Sequence, residues 1–387
     1  MISLLLPIIY LSFISLGLPD ALLGALWPTL HAEFAVPVSY AGNISIVVCI
    51  GTIVSSLMSD RMTRRFGTGL VTAVSVFLTA CALFGYGAST QYWMLILWSI
   101  PYGLGAGGVD ASINNYVALH YASRHMSWLH CMWGVGAALG PYILGFALSG
   151  GKGWEMGYAY IGMMQTVLTA VLFLSVPIWK KRATPLQQEN GAKTTALSLK
   201  EILNITGAKE IMLAFFCYCA LEATAGLWAS TYMVRHLGLN EELAAKLASM
   251  FYLGITGGRA LSGFMTYKFN DTNMIRIGQS VILIGILAML LPLDQTCAIA
   301  GLLLVGLGCA PIYPSVIHST PAHFGEENSQ AIIGVQMASA YIGSMLIPPV
   351  FGLIVDYISA SLFPCFLGII LIVMAWMCEL LNKKCHM

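Results

Sequence analysis

The second half of this chain repeats the first at an offset of about 203 residues, and this repeat restricts the possible folds more than any other feature. The matched positions are Gly103-Leu104-Gly105 with Gly306-Leu307-Gly308, Pro141 with Pro348, Gly145 with Gly352, Gly24 with Gly226, and Asp20 with Glu222. A repeat of this length in an apolar chain is typical of secondary transporters, whose substrate site lies between two related helix bundles. The last pair would place one carboxylate in each bundle.

The composition indicates that lipid surrounds most of the chain. Hydrophobic residues make up 58% and charged residues 9%, with a mean hydropathy of +0.79, whereas a soluble protein carries roughly a quarter charged residues. Apolar runs long enough to cross a bilayer, roughly 20 residues, can be placed at 2–30, 38–58, 68–88, 92–119, 126–149, 156–179, 209–234, 242–266, 274–292, 296–319, 329–354 and 360–381. We therefore predict an all-α membrane protein with twelve transmembrane helices in two pseudo-symmetric six-helix bundles.

The distribution of basic residues predicts the orientation of the chain. With the N-terminus in the cytoplasm, 15 of the 18 Lys and Arg residues lie on the cytoplasmic side, and only Lys152, Arg235 and Lys246 lie outside. The positive-inside rule then places both termini in the cytoplasm. The first apolar run is expected to be a retained helix, because no basic segment precedes it as in a signal peptide.

The polar stretch 180–208 is expected to be a cytoplasmic linker between an N-terminal bundle, 1–179, and a C-terminal bundle, 209–387. Within it, Leu197 to Leu203 could form a short surface helix or a plain connector. We expect a monomer in the inner membrane of a prokaryote, with the lipid bilayer as its surroundings.

Several classes of function are disfavoured by the residue pattern. The ten cysteines show neither a disulfide framework nor metal-ligand spacing. No basic tract favours nucleic acid, and no nucleophile–base arrangement favours an enzyme. The glycines around Gly105 follow no predicted strand, so close helix packing explains them better than a nucleotide site does. We expect no cofactor and no metal.

Asp20 and Trp27 are the first candidates for a substrate site, in the first predicted helix. Ionisable groups inside a bilayer cost several kcal/mol unless paired or hydrated, so each is a functional candidate. The two residues are seven apart and would share one helical face, where a carboxylate could accept hydroxyl protons and an indole could stack on a sugar. The alternative is a structural carboxylate bonded to a neighbouring helix.

A second polar group is predicted between the fourth and fifth helices. Asp110 and Asn114 are four apart, hence on one face, and His130 and Trp133 would lie at similar depth on the next helix. Together they could bind a hydroxylated solute or pass a proton. They could equally be a hydrogen-bonded cluster that holds the two helices together.

In the second half, Glu222 falls near the middle of the seventh helix. Burial disfavours a charged carboxylate, so proton binding there is plausible, and we consider Glu222, Asp20 and Asp110 as proton-coupling candidates. Tyr313 lies between Pro311 and Pro314, which are expected to interrupt the tenth helix. It would either close the substrate site or mark a kink without ligand contact.

Charged residues at the predicted cytoplasmic ends of helices suggest a gate. Asp60, Arg61 and Arg65 lie at the cytoplasmic end of the second predicted helix. Arg259 is predicted at the cytoplasmic end of the eighth helix. An acid and bases at these ends could lock the two bundles together. The alternative is that these charges serve only to orient the helices in the membrane. This would explain the arginines but not Asp60.

The whole chain resembles the major facilitator superfamily. The resemblance rests on twelve spans in two repeated halves, the central basic loop, and the segment Ser56-x-x-x-Asp60-Arg61-x-x-Arg64-Arg65, although that family usually has glycine at the position of Ser56. It implies two six-helix bundles that rock about a central site, with the loop motif latching the outward-open state.

Within that superfamily, Gly103-Leu104-Gly105 followed by Asp110-x-x-x-Asn114, together with Asp20, resembles the fucose-permease branch of proton:sugar symporters. The resemblance implies that Asp20 couples protons or binds substrate and that Asp110 contacts the sugar. The chain departs from the branch in having Asp at 110 and in carrying Glu222. It implies uptake of a sugar or similar polar solute together with H⁺.

Two alternatives remain open. Gly136-x-x-x-Gly140-Pro141-x-x-x-Gly145 is similar to the proline–glycine motif of drug:proton antiporters, with Phe146 in place of its last glycine. Drug or metabolite efflux is therefore the second hypothesis. A membrane sensor or scaffold is the third, and the chain offers it no soluble output domain.

The predicted orientation can be tested by cysteine labelling. In a variant whose native cysteines are replaced, Lys152→Cys should react with a membrane-impermeant maleimide in intact cells, because position 152 is predicted outside. Lys268→Cys is the matched control and should react only after the cells are opened. Protection of position 152 in intact cells would contradict the orientation.

Overall fold

The structure, a computed structural model, describes residues 4–37, 40–181, 197–291 and 295–385. In these ranges the regular elements are helices, without a strand, and they group into two compact units. Unit 1 comprises 1–116 and 129–197, and unit 2 comprises 117–128 and 198–387. The predicted all-α class is confirmed. Residues 117–128 belong to unit 2, although they lie within the segment 1–179 that the sequence assigns to the first bundle.

The helices of the first half are long and apolar. They are α1 Leu5–Asp20, α2 Leu22–Glu33, α3 Ala41–Phe66, α4 Thr68–Gly87, α5 Tyr92–His120, α6 Ser123–Ser149 and α7 Gly153–Lys181. In unit 1, α4 packs along α7, and α1 also contacts α7. The end of α5 and the beginning of α6 are the part that is grouped with unit 2.

In the part of the second half that the structure describes, there are six further long helices and two short ones. They are α8 Leu199–Asn204, α9 Ala208–Arg235, α10 Glu241–Met265, α11 Asp271–Leu290, α12 Gln295–His318, α13 Thr320–Phe324, α14 Glu326–Tyr357 and α15 Phe363–Cys385. In unit 2, α9 packs against α14 and α15, and α12 packs against α10 and α11. The helix α12 continues through Pro311 and Pro314, so the expected interruption there is wrong.

Most of the predicted linker lies outside the described residues, which resume at 197. Its last part contains α8, one of the two possibilities that the sequence left open. Ser198 and Glu201 cap this helix reciprocally: the Ser198 backbone N–H donates to Glu201 Oε2 at 2.7 Å, and the Glu201 N–H donates to Ser198 Oγ at 3.4 Å. Such a capping box satisfies two N–H groups that a helix start leaves without intrahelical partners.

The described helices have the surface expected of a multi-pass membrane protein. Ten spans are both long and apolar enough to cross a bilayer, with α1 and the start of α2 counted as one. The helices α5 and α10 are also long, 29 and 25 residues, and they carry Asp110 and Arg259. Large apolar side chains such as Leu174 and Trp376 are 81% and 65% exposed, as suits contact with lipid.

A proline explains the end of the first helix. Pro19 has no N–H group, so the Ser15 carbonyl loses its usual donor four residues later. Gln165 of α7 replaces that donor, because its Nε2 donates to Ser15 O at 2.8 Å while its Oε1 accepts from Thr79 Oγ1 at 2.7 Å. The chain passes from α1 to α2 at Ala21, and Asp20 therefore stands at a break between two helices.

The sequence repeat reappears as a repeat of helix contacts inside each unit. In unit 1 a methyl group added at Gly51 would lie 3.2 Å from the Cα of Gly103, and one added at Gly254 in unit 2 would lie 3.2 Å from the carbonyl carbon of Gly306. These pairs are related by the same offset of 203 residues. Gly105 against Ser75 and Gly308 against Gly278 form a second matched pair. Close packing at small residues is a usual way for membrane helices to associate.

The glycine contacts predict which substitutions destabilise unit 1. A methyl group at Gly103 would press into the Val48 carbonyl of α3, whereas one at Gly145 would meet nothing within 4 Å. Overpacking typically costs 1–3 kcal/mol, so Gly103→Ala should lower the apparent melting temperature of the purified protein by several degrees. Gly145→Ala is the matched control and should leave it unchanged or raise it, since alanine favours helix by about 1 kcal/mol. Equal melting temperatures for the two variants would contradict the packing argument.

Candidate functional site

Asp20 is the centre of a polar cluster in unit 1. Its Oδ1 accepts a hydrogen bond from the hydroxyl of Tyr102 at 2.9 Å, and its Oδ2 accepts one from Trp133 Nε1 at 2.8 Å. Asp20 is exposed, whereas Tyr102 on α5 is buried. The carboxylate is therefore held from two helices, α5 and α6, while part of it stays open. The sequence predicted Asp20 but not Tyr102.

Trp27 is not part of this cluster, contrary to expectation. Its ring is buried and contacts Tyr92 and His31, each with a centroid separation of 6.4 Å. The shared face that a spacing of seven predicts requires one continuous helix, and the break at Ala21 removes that continuity. Trp27 therefore belongs to the apolar core of unit 1.

Asp110, Asn114 and His130 form a hydrogen-bonded chain, so the structure brings together three of the four residues predicted for this group. Asn114 Nδ2 donates to Asp110 Oδ1 at 2.7 Å, and His130 Nε2 lies 3.1 Å from Asn114 Oδ1. Because the amide oxygen can only accept, His130 Nε2 must carry the proton in this bond. All three side chains are buried in unit 1, and the edge-on ring of Phe13 packs against His130 at 5.3 Å.

Trp133 was expected in that chain and instead donates to Asp20. It follows His130 by one helical turn on α6, so the two polar groups adjoin along this helix. The indole N–H is a donor only, and the Asp20 carboxylate provides the acceptor that it reaches. The helix α6 therefore supplies one residue to the buried chain and one to the exposed carboxylate.

In unit 2, Glu222 of α9 pairs with Arg259 of α10. Arg259 Nη2 lies 3.5 Å from Glu222 Oε1, and the two side chains are 5% and 23% exposed. Arg259 was expected in a gate at the end of its helix. It lies in the last turns of α10, which ends at Met265, and it is buried and contacts Glu222; its gating role stays a prediction. A guanidinium in a membrane bundle requires a counter-charge, which Glu222 supplies.

Aromatic rings surround this ion pair. Tyr313 lies 4.7 Å from Phe215 and 5.9 Å from Tyr218, between ring centroids, and Tyr218 and Tyr313 both lie near the guanidinium of Arg259. The Tyr218 hydroxyl donates to the Cys309 carbonyl at 3.1 Å. Tyr313 thus belongs to the surroundings of Arg259, a location that the repeat alone did not indicate.

The predicted gate residues of α3 make local contacts. Arg64 Nε donates to Asp60 Oδ1 at 2.8 Å, one turn along the helix, and Arg65 lies over the ring of Phe66 at 5.3 Å. Arg61 is exposed beside Asp60. The ion pair of Asp60 is therefore made with Arg64, and the gating role of Asp60, Arg61 and Arg65 stays a prediction.

Residues 117–128 are held in unit 2 by His318, which sequence reasoning missed. His318 Nδ1 lies 2.6 Å from Asp271 Oδ2, and its Nε2 lies 3.0 Å from the Tyr121 carbonyl. Ser123 Oγ donates to the other oxygen of Asp271 at 2.5 Å. Both ring nitrogens face acceptors, so both must donate while Asp271 is ionised, and His318 is then an imidazolium. The residues that these contacts join are separated along the chain by 148 and 197 positions, so no local pattern in the sequence indicates them.

Comparison with known proteins points to one family. The model of the Major Facilitator Superfamily matches residues 9–316 and again 211–384. The chain is similar to Bypass of stop codon protein 6 of Saccharomyces cerevisiae, 25% identical over 283 residues that span 66% of this chain but only 56% of that protein. It is also similar to the glucose/mannose transporter GlcP of Bacillus subtilis, 21% identical over 79% of this chain and 77% of that protein.

A further relative and a solved structure agree with this family. The 4-hydroxybenzoate transporter PcaK of Pseudomonas aeruginosa is 22% identical over 87% of this chain and 83% of that protein. A crystal structure of the Escherichia coli fucose:proton symporter FucP superposes with a TM-score of 0.74 at 15% identity, over 96% of this chain and 98% of that one. At this identity the superposition establishes the fold alone.

The His318 contacts predict how residues 117–128 are released. His318→Ala removes the donor to Tyr121 and should speed amide hydrogen exchange in 117–128 by at least several-fold. Raising the pH should speed exchange in 117–128 of the wild type by more than the general base-catalysed increase that all amides show, since a neutral imidazole loses one of the two donated bonds. The matched control is Arg276→Gln on α11, which removes the Arg276–Glu379 pair and should leave exchange in 117–128 unchanged. Unchanged exchange in His318→Ala would contradict the assignment.

Proposed function

This chain belongs to the Major Facilitator Superfamily, and we propose that this multi-pass membrane transporter takes up a sugar or similar small hydroxylated solute together with a proton. The observation that carries the proposal is the exposed carboxylate of Asp20, held by Tyr102 and Trp133 at the break between α1 and α2. Alternating access, in which the two bundles open in turn to each side, would move the solute.

The Asp20 cluster suits hydroxyl recognition. An ionised carboxylate offers about four acceptor positions, and Tyr102 and Trp133 use one on each oxygen. The remaining positions can accept from solute hydroxyls. The indole of Trp133 is only partly buried, and an aromatic ring beside a carboxylate suits the apolar C–H face of a sugar ring together with its hydroxyls.

Proton coupling requires a carboxylate that binds a proton together with the solute. Asp20 and Glu222 are the leading candidates, because the sequence repeat assigns one to each half. A neutral, loaded carrier would reorient more readily than a charged, empty one, since a charge inside the bilayer is costly. We assign Asp110, Asn114 and His130 to the same pathway; they are buried in this conformation and would reach the proton or solute only when α5 and α6 rearrange.

The relatives support the class of solute. GlcP is described as a glucose/mannose transporter, and the fold-level neighbour FucP as a fucose:proton symporter. We further propose a prokaryotic inner-membrane location with both termini in the cytoplasm, on the distribution of Lys and Arg. Asp60, Arg61 and Arg65 remain proposed gate residues.

The efflux alternative loses its main sequence support. The glycines of the antiporter-like motif, Gly136 and Gly140, lie directly against the backbone of α1 at Ile14 and Leu18. Gly343 in unit 2 lies against Phe216 in the same way. Helix packing therefore accounts for the motif glycines without an antiport role.

Transport in proteoliposomes tests the proposal, with radiolabelled D-glucose and L-fucose as probes. An inward-directed pH gradient should drive accumulation by the wild type, and a protonophore should abolish it. Asp20→Asn should lose at least tenfold in gradient-driven accumulation, because the amide cannot take up a proton and accepts fewer hydroxyl bonds.

The matched control is Asp356→Asn. This carboxylate is 65% exposed and pairs with Arg235 at 3.6 Å, so its loss should leave accumulation within twofold of the wild type. Accumulation by Asp20→Asn at the wild-type level would refute the role of this carboxylate. Accumulation that ignores the pH gradient would refute proton symport.

A further inference from the structure

The seam between α11 and α15 in unit 2 carries an ion pair that is reachable from outside the unit. Arg276 of α11 donates two parallel bonds of 2.7 and 2.8 Å to Glu379 of α15. Both side chains are about half exposed. Because the contact is bidentate, it places the beginning of α11 and the end of α15 at the same depth, and the two helices run in opposite directions from it.

One face of α11 forms a groove at this ion pair. Its volume is about 330 Å³, and its lining residues are Phe269, Asn273, Arg276, Ile277, Ser280 and Val281. From 273 onward these positions follow the helical spacing of three and four residues, so they share one face of the helix. Three of the six side chains are polar and three are apolar. The groove therefore suits a ligand with a polar part and an apolar part.

Away from the ion pair, both helices present apolar side chains at the surface. The exposed ones are Ile284, Leu287, Ile369 and Ile372. Those of α11 follow Arg276 by eight and eleven residues, and those of α15 precede Glu379 by seven and ten. At 1.5 Å per residue the two sets extend over the same range, roughly 10 to 17 Å from the ion pair. Together they form a continuous apolar stripe that begins at the groove.

Trp376 indicates where this seam crosses from headgroups to hydrocarbon. It lies on α15 one turn before Glu379 and is 65% exposed. Tryptophan is enriched at the membrane–water interface, because its indole combines an apolar ring with an N–H donor. The ion pair therefore lies at headgroup level, and the apolar stripe lies in the hydrocarbon.

The charges at this end of unit 2 leave a positive excess. Lys383 lies near Glu379, so that this carboxylate has two cationic neighbours. Glu210 of α9 also has two, because it pairs with Lys384 at 2.7 Å and lies near Lys209. Four cations thus accompany two carboxylates across the ends of three helices. The complementary ligand is an anion.

We infer that the groove at Arg276 binds the headgroup of an anionic phospholipid, whose acyl chains lie along the apolar stripe of α11 and α15. This site is separate from the proposed solute site, and its existence does not depend on the proposed uptake. Glu379 uses two of the five N–H groups of the guanidinium, so three remain for a phosphate oxygen. Asn273 and Ser280 can bond to the glycerol part. A zwitterionic headgroup lacks the net charge that the positive excess selects.

Lipid binding to the purified, delipidated protein tests the inference. The probes are dioleoyl-phosphatidylglycerol and dioleoyl-phosphatidylcholine, which share their acyl chains and differ in headgroup charge. Native mass spectrometry should show the first phosphatidylglycerol binding about fivefold more tightly, the factor expected for one basic residue near an anionic lipid. Glycerol 3-phosphate in large excess should not displace it, because this compound has no acyl chains. Equal binding of the two lipids, or displacement by glycerol 3-phosphate, would overturn the inference.

Substitutions within the ion pair separate lipid binding from a structural role. Arg276→Gln should remove most of the preference for phosphatidylglycerol. Glu379→Gln should strengthen phosphatidylglycerol binding, because it frees the guanidinium and removes a negative charge, and a pair that only joins two helices would not give this result. Arg235→Gln is the matched control and should bind as the wild type, since this exposed arginine pairs with Asp356 at the other end of α9 from Glu210. Retained preference in Arg276→Gln, or weaker binding in Glu379→Gln, would contradict the site.

A photoreactive phosphatidylglycerol locates the site in the wild-type protein, so this arm does not require any variant to fold. With the reactive group in the headgroup, crosslinked peptides should come from 269–281 and from the last turns of α15. Unlabelled phosphatidylglycerol should suppress these crosslinks, and phosphatidylcholine should not. Crosslinks confined to other helices, or equal suppression by both lipids, would overturn the inference.

Discussion

Close contact between helix backbones at glycines is the constraint on which both units depend. A membrane interior offers little hydrophobic drive for helix association, so packing and a few polar bonds must provide it. Gly103 meets α3 at Val48, and its counterpart Gly306 meets α10 at Phe251. These contacts bring α5 and α12 against their neighbours and so set the positions of the polar residues that the two helices carry. Substitution at these glycines therefore affects the site as well as stability.

The two units stabilise the polar groups of their membrane-spanning helices by different interactions. In unit 1, neutral donors satisfy Asp20, and an asparagine links Asp110 to His130. In unit 2 the solution is an ion pair, Glu222 with Arg259. Neutral hydrogen-bond donors do not change the net charge at a carboxylate, whereas an arginine beside a carboxylate cancels it. The repeated carboxylates at 20 and 222 are therefore not chemically equivalent. The sequence repeat by itself therefore does not give the two carboxylates the same role.

Sequence reasoning found the residues that face an energetic penalty but not their partners. Asp20 and Glu222 stood out because a carboxylate in an apolar run needs an explanation. Asp110 and Asn114 could be paired because a spacing of four is local to one helix. Trp27 was misplaced because the helix breaks at Ala21. Tyr102 and Arg259 were missed as partners because helix–helix distances of this kind depend on packing that no spacing rule supplies.

The sequence by itself determined the membrane class, the long helices and the repeat, because hydropathy and periodicity are local properties of the chain. It also marked which positions carry chemistry. The tertiary structure decided which of them meet: Trp133 turns to Asp20, Arg259 turns to Glu222, and His318 holds residues 117–128 in unit 2. These choices depend on the rotation and depth of each helix against its neighbours. Steric contacts spread over the whole bundle fix both quantities, and they are therefore absent from any short stretch of sequence.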